Sequence, residues 1–272
     1  MPSPKTVNIK AGLLSNKRIR DKYWHAVLQA PDIAARASAG QFLSVLLSET
    51  KYEPLLRRPF SIHKVSRLRV EILYEVVGKG TQVFSRKKPG EQLDIIGPLG
   101  KGFDLTASER KGIEVSILVA GGIGIAPLLF LAKRLESMKS KPETIVLIGA
   151  RTKNQVLCLD EFKRSGCSVR VSTDDGTQGE RGRVTNLLEN VLRKVHDPKR
   201  TTIYACGPKP MLKGTQTIAN KYNIPSQLSL ESHMACGIGA CLGCVVDTID
   251  GFKRVCKEGP VFQSNQIIWG KE

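Results

Sequence analysis

Four cysteines near the end of the chain constrain it more than any other feature. Cys236, Cys241, Cys244 and Cys256 stand as C-x4-C-x2-C-x11-C. Such a thiolate set suits either a zinc ion or an iron–sulfur cluster. Structural zinc usually takes two short C-x2-4-C knuckles, whereas this run is asymmetric and has the plant-type [2Fe–2S] spacing. A cluster with bridging sulfides also needs backbone N–H groups drawn close around sulfur. Gly237, Gly239 and Gly243 permit that approach and the positive φ values it demands. A zinc ribbon stays open as the alternative. Lys253, Arg254 and Lys257 flank the fourth cysteine, either to offset an anionic cluster or as solvated charge.

The other three cysteines make seven, an odd number, and Met1 to Lys10 lacks the apolar core of a secretory signal. Together these argue against a disulfide framework and for metal or redox chemistry in a reducing, cytoplasmic compartment. At 272 residues and 41% hydrophobic, the chain is long enough for one large domain or two ordinary ones with a real core. Subtracting 25 acidic from 42 basic residues leaves +17. That excess suits polyanions: nucleotide cofactors, an acidic partner, nucleic acid or anionic lipid. The longest uncharged run, Val115 to Ala132, just reaches membrane-span length. Gly121, Gly122, Gly124 and Pro127 interrupt its centre and its first half reads as a buried strand, so no span is expected.

Three textures divide the chain, predicting a multidomain β plus α/β protein. Residues 1–104 carry short β-rich runs (Phe42 to Leu47, Arg69 to Val77, Gln92 to Ile96) with no long helical period, as in a small antiparallel barrel. Residues 105–228 alternate strand and helix. Apolar strands at Val115 to Ala120, Thr144 to Gly149, Val169 to Thr173, Thr202 to Cys206 and Gln227 to Leu230 predict a doubly wound parallel sheet. Helical periods lie at Pro127 to Met138, Val184 to Val195 and Pro210 to Tyr222. Residues 229–272 read as a separate loop-rich module around the four cysteines.

Further motifs fall at strand ends. Ala120 to Pro127 (AGGIGIAP) follows an apolar strand and opens a helix, as a pyrophosphate-binding turn does, with Gly121, Gly122 and Gly124 as donors of backbone N–H. Pro127 stands where the dinucleotide fingerprint has its third glycine, so a purely structural turn is the alternative. Cys206-Gly207-Pro208 ends another parallel strand on the same carboxyl edge, beside a nicotinamide or as a small core thiol. Arg151, Thr152 and Lys153 end a third, placed for a ribose 2′-phosphate or simply at the surface. In the β-rich part, Arg57-Arg58-Pro59-Phe60-Ser61-Ile62 offers a guanidinium for a pyrophosphate, and a hydroxyl and an apolar side chain for the edge and face of an isoalloxazine. Gly78-Lys79-Gly80-Thr81 adds backbone donors at a helix start.

In this order, Ala39-Gly40-Gln41-Phe42, RPFS, GKGT, GPLGKGF, AGGIGIAP and ACGP resemble the ferredoxin-reductase superfamily. With the cysteine module, whose most specific stretch is SLESHMACGIGACLGCVV, the chain is similar to electron-transfer subunits of NAD-dependent (class 1B) dihydroorotate dehydrogenases. The resemblance implies an FAD-binding barrel, an NAD-binding domain and a [2Fe–2S] module. It implies that Arg58, Pro59, Phe60 and Ser61 hold FAD, with Arg58 on phosphate. Leu73, Tyr74 and Glu75 would line a second FAD segment, and Gly80 with Thr81 the diphosphate. Gly121, Gly122, Gly124 and Gly207 are the NAD candidates, and Ser61 and Cys206 the catalytic candidates. Relatives often carry Arg where Glu75 stands, so Glu75 is expected to act through its backbone. A related family of NADPH:ferredoxin-type subunits has Asp as first cluster ligand, and Cys236 favours the dihydroorotate reading.

The resemblance further implies an FMN-containing catalytic subunit, in a heterotetramer of two plus two, that oxidises dihydroorotate in pyrimidine (UMP) biosynthesis and sends electrons through this chain to NAD+. The chain offers no base for the dihydroorotate step. A reductase serving a ferredoxin, hydrogenase or oxygenase is the nearest alternative. A zinc-ribbon nucleic-acid binder is the other, although no recognition helix or aromatic-basic strand supports it.

Overall fold

The computed structural model describes residues 6–48, 53–106 and 112–270, in which two seven-stranded sheets share one apolar helix. The first sheet is antiparallel and comprises β1 (Val7–Arg20), β2 (Tyr23–Gln29), β3 (Phe42–Leu46), β4 (Arg58–Ser61), β5 (Lys64–Val65), β6 (Arg69–Glu75) and β7 (Gln92–Leu99), in the order β4-β3-β7-β1-β2-β6-β5. The two edge strands are consecutive in the chain. Ile62 bonds back to Gln41 and His63 to Glu71, so a step of two residues carries the chain from one edge to the other. The sheet therefore curls almost shut, as the barrel expectation requires. Short helices α1 (Pro31–Ala34) and α2 (Lys79–Ser85) cover its ends.

The second sheet contains β8 (Val115–Gly121), β9 (Glu143–Ala150), β10 (Ser168–Thr173), β11 (Glu180–Arg181), β12 (Thr201–Cys206) and β13 (Ser226–Ser229). All run parallel, in the order β11-β10-β9-β8-β12-β13. The chain winds outward from β8 to β11, then returns to β12 on the other side. The carboxyl ends of β8 and β12 thus flank the crevice where open α/β sheets bind ligands. The five predicted strands are all present. The run that raised the membrane question is split into β8 and helix α3 (Ile125–Glu136), and no helix among the described residues is long and apolar enough to cross a membrane.

Helix α3 buries nine residues, Ile125 to Ala132 and Leu135. A helix apolar nearly all round must be covered on several sides, and α3 lies between the parallel sheet and the first sheet. It shares its face with α4 (Leu159–Arg164), and a single core runs from Leu28 and Ile72 through Leu128 and Leu131 to Phe162. Each such fully buried side chain is worth roughly 1.5–3 kcal/mol. Helices α5 (Val184–Leu192) and α6 (Lys209–Lys221) cover the opposite face.

The C-terminal region has a hairpin of β14 (Val245–Thr248) and β15 (Gly251–Arg254), then β16 (Val261–Gln263). This C-terminal module, expected from the sequence, packs on the rest of the chain: β16 pairs antiparallel with β13 and completes the second sheet, while Cys244, Val255 and Cys256 join the core of α5 and α6. Lys101, just past β7, bridges to Pro260. The cysteine loop is thereby fastened to both sheets.

Candidate functional site

The loop from Cys236 to Cys244 curls around its own sulfurs. The amides of Ala240 and Cys241 each donate to Cys236 Sγ at 3.4 Å, and Gly243 donates to Cys241 Sγ at 3.5 Å. Across the loop the Cys256 amide donates to Cys244 Sγ at 3.5 Å. Gly237 and Gly239 take φ of 69° and 86°, and Leu242 takes 57°; Gly243, expected to share this role, does not. Burial opposes ionisation of Cys236, yet donors from Ile238, Cys241 and Ala240 outweigh it and hold the thiol at about 6. Burial, then the Cys244 thiol beside it, pushes Cys256 up to about 12.

The Cys241 thiol lies beside that of Cys236, and the thiols of Cys244 and Cys236 both lie close enough to influence Cys256. Among the described residues no three His, Cys, Asp or Glu side chains gather as a single metal ion needs. Four thiols with backbone amides aimed at sulfur fit the iron–sulfur cluster that their spacing suggests. Arg254 is no loose counter-charge. It donates to both Glu258 oxygens, at 2.5 and 3.0 Å, and to the Gly239 carbonyl at 2.7 Å, stapling the loop.

On β4 the two arginines differ. Arg57 donates to Asp94 Oδ1 at 2.7 Å and to the Asp94 carbonyl at 2.9 Å. Arg58 donates only to main-chain carbonyls, those of Leu56 at 2.7 Å and Arg57 at 3.3 Å, among the described residues. Its stem lies against Gly80 so closely that a Cβ there would sit 2.8 Å from Arg58 Nε. Thr81 Oγ1 accepts from the amides of Val77 and Gly78 at 3.0 and 3.2 Å, fixing the start of α2. A guanidinium without a carboxylate, beside a bare backbone turn, fits a phosphate.

The ring of Phe60 is turned inward. It meets Tyr74 edge-on at 5.7 Å and Phe84 at 5.2 Å, while Tyr74 and Phe84 stack at 4.6 Å. Tyr74 donates its hydroxyl to Asn16 at 2.9 Å, and burial raises its pKa. Leu73 is buried as well, and Glu75 is ion-paired to Lys22. Exposed Pro59 and half-buried Ser61 occupy the other face of β4.

At the nucleotide edge, a Cβ on Gly124 would lie 2.3 Å from the Cys206 carbonyl oxygen, and one on Gly207 would lie 3.0 Å from the Gly121 backbone. These glycines, with Gly121, form a seam between β8 and β12. Gly122, at φ 54°, has open space beside it and precedes α3. Cys206 is buried; that burial, then the charge of Glu231, pushes its thiol up to about 12, against a hydrogen bond from Ser229. Arg151 and Lys153 are exposed, and the carbonyl of Lys153 accepts from Arg20 at 3.2 Å.

These parts converge. Ser44 on β3 is the cross-strand partner of Pro59, and cross-strand partners share a face. Gly237 of the cysteine loop sits on that face, its Cβ position 3.1 Å from Ser44 Oγ. Two residues escaped the sequence reading. Glu231, just past β13, is solvent-accessible yet close enough to Glu75 and Cys206 for their charges to be felt; burial, then Glu75, raises its pKa. His63 is fully buried, and its Nδ1 lies 2.8 Å from the Ala126 carbonyl. An acidic residue just past the last parallel strand was the available signal for Glu231; His63 had none.

Comparison with known proteins agrees with this geometry. Residues 231–268 match the iron–sulfur cluster binding domain of dihydroorotate dehydrogenase B, and residues 118–217 the oxidoreductase NAD-binding domain. The chain is 41% identical to the dihydroorotate dehydrogenase B (NAD(+)) electron transfer subunit of Desulforamulus reducens, covering 95% of this chain and 97% of that one. It is 37% identical to that of Caldanaerobacter subterraneus subsp. tengcongensis, covering 96% and 98%. A solved NADH-dependent reduced ferredoxin-NADP oxidoreductase superposes with a TM-score of 0.82 at 28% identity, covering 95% of this chain and 90% of that one. A flavohemoglobin from Malassezia yamatoensis shares the fold at a TM-score of 0.64 and 19% identity, covering 80% and 57%. Relatives this similar over nearly the whole length place the chain in the family of electron transfer subunits of dihydroorotate dehydrogenase B (NAD(+)).

Proposed function

We propose that electrons pass between an FMN-containing catalytic subunit docked at the cysteine loop and NAD(+) at the carboxyl edge of β8 and β12, by way of FAD held on β4, β6 and α2. The observation that carries this route is the seat of Gly237 on Ser44, one strand from Pro59. It supports a cluster loop seated on the strand next to the one proposed to hold the flavin.

Bound FAD supplies the conversion between hydride chemistry and the single-electron steps of a [2Fe–2S] cluster. The chain's own residues do the rest. Arg58 with Gly80 and Thr81 holds the diphosphate, and Pro59 and Ser61 present the outward face of β4 to the flavin. Phe60 supports that strand from behind, and Leu73, Tyr74 and Glu75 act through their backbones. Gly122 and the start of α3 take the NAD pyrophosphate. Ser61 and Cys206 are the residues assigned to the hydride path, Cys206 as a neutral thiol. Glu231, protonated more readily than an ordinary carboxyl, limits the negative charge in a cleft that admits anionic cofactors. Cys236, Cys241, Cys244 and Cys256 would hold the [2Fe–2S] cluster, which would pass electrons singly.

Around the loop, Phe252 is 75% and Leu242 60% exposed. They share a groove of about 620 Å³ with Val245, Lys253, Arg254 and Glu258. Apolar side chains in such a patch mark an interaction face, and we assign it to the catalytic subunit, in an assembly of two plus two. An odd cysteine count with a four-cysteine cluster site suits a reducing, cytoplasmic setting.

Purified chain is expected to carry flavin with iron and acid-labile sulfide, to reduce dyes with NADH, and to leave dihydroorotate untouched until the catalytic subunit is added. Phe252→Glu is expected to abolish that coupling while dye reduction persists. Dihydroorotate oxidation by the single chain, or coupling unharmed by Phe252→Glu, sinks the assignment.

A further inference from the structure

The step from β4 to β5 holds buried polar contacts that the electron route leaves unused. His63 is 1% exposed, and its Nδ1 meets the carbonyl of Ala126, in the first turn of α3, at 2.8 Å. A carbonyl only accepts, so Nδ1 carries the proton and donates. The next residue, Lys64, reaches Glu161 of α4 at 2.6 Å and Glu71 of β6 at 3.5 Å. Glu71 in turn binds His25 at 2.8 Å, whose ring lies edge-on to His63 at 6.0 Å. Burial, the largest influence on His63, holds its pKa down to about 4, so the imidazole stays neutral and its donor persists at working pH.

Two neighbouring side chains of the first sheet therefore grip the two helices on one face of the second. The connection is short. Ser61 lies two residues before His63, and Gly124 lies two residues before Ala126. One imidazole–carbonyl hydrogen bond thus ties the strand assigned to the flavin to the turn assigned to the nucleotide.

We propose that His63, seconded by Lys64, is a positioning residue that sets the distance between the flavin and the nicotinamide. Hydride transfer needs reacting atoms about 3–3.5 Å apart, and a misplacement of about 1 Å costs roughly a hundredfold. The transfer breaks the C4–H bond of NADH and forms N5–H on FAD, with both electrons moving together, so it depends steeply on this distance. The inference rests on the flavin and nucleotide sites proposed above.

The test compares the FAD- and cluster-loaded wild type with His63→Leu, His63→Asn and Lys64→Met. Leu removes the donor at similar volume, whereas the Asn amide N–H reaches toward the same carbonyl. His63→Leu is expected to slow NADH-driven flavin reduction in stopped flow by about tenfold or more. Hydrogen–deuterium exchange at residues 121–126, measured without NADH, is expected to quicken in parallel. His63→Asn is expected to restore most of both, and Lys64→Met to give a smaller loss of rate at unchanged flavin content. Wild-type rate and exchange in His63→Leu overturn the proposal, as does equal damage in His63→Asn. Should His63→Leu fail to fold, Lys64→Met at wild-type rate overturns it equally. A wild-type chain whose bound flavin NADH does not reduce would instead sink the underlying site assignment.

Discussion

Two glycine-rich segments frame the electron route, and their glycines answer different demands. In the cysteine loop, Gly237 and Gly239 take φ of 69° and 86°, where an L side chain is strained. They let the chain curl until its amides face sulfur. In the turn after β8, Gly124 has φ of −58°, open to any residue. It is glycine because the Cys206 carbonyl leaves no room for a Cβ. One segment needs a conformation and the other a gap. A glycine-rich turn at a nucleotide edge is thus first a packing seam between β8 and β12. Gly122, by contrast, has open space where its side chain would be.

The largest effect is expected where the gap is closed. Gly124→Ala puts a methyl 2.3 Å from a main-chain oxygen that belongs to the central sheet and has nowhere to move. Overpacking typically costs about 1–3 kcal/mol, and an immovable backbone puts this case at about 3 kcal/mol or more. Thermal denaturation is expected to show a large drop in Tm, and an unchanged Tm would mean that the seam yields. Gly237→Ala should cost less overall, about 1–2 kcal/mol of backbone strain. Its damage should be local: lower iron and sulfide content after reconstitution, with flavin content kept. Loss of flavin and iron together would show that the two segments are not separable in this way.

What could be read in advance follows the same division. The cysteine spacing was legible because its ligands are close in sequence and its chemistry is narrow. The five parallel strands were legible because each is a short apolar run between turn residues. The contacts between the sheets were not. His63 meets a residue 63 positions away and Lys64 one 97 away, with nothing local to mark either pair. The pairing of β16 with β13 likewise depends on where the cysteine loop returns the chain. The RPFS stretch offered a guanidinium, an apolar side chain and a hydroxyl, but nothing local told which face of β4 each would take. The ring of Phe60 faces inward because Tyr74 and Phe84, brought in by β6 and α2, complete an aromatic core there.

Acid offers the gentlest probe of the nucleotide segment's support. Glu71 is held down to about 2, first by its hydrogen bond to His25 and then by the charge of Lys64, against the opposing effect of burial. A carboxyl depressed in the folded state stabilises it above the unfolded pKa, and loses that contribution as pH falls toward the folded value. For Glu71 the window runs from about 4.5 down to about 2. Glu71 remains 23% exposed, so screening limits the gain to the order of 1 kcal/mol. Glu71→Gln is therefore expected to lower Tm modestly at pH 7, with the gap to wild type shrinking as the pH is taken to 3. A gap that stays constant with pH would assign the contribution of Glu71 to packing, and leave the support beneath α3 to the neutral imidazole of His63 alone.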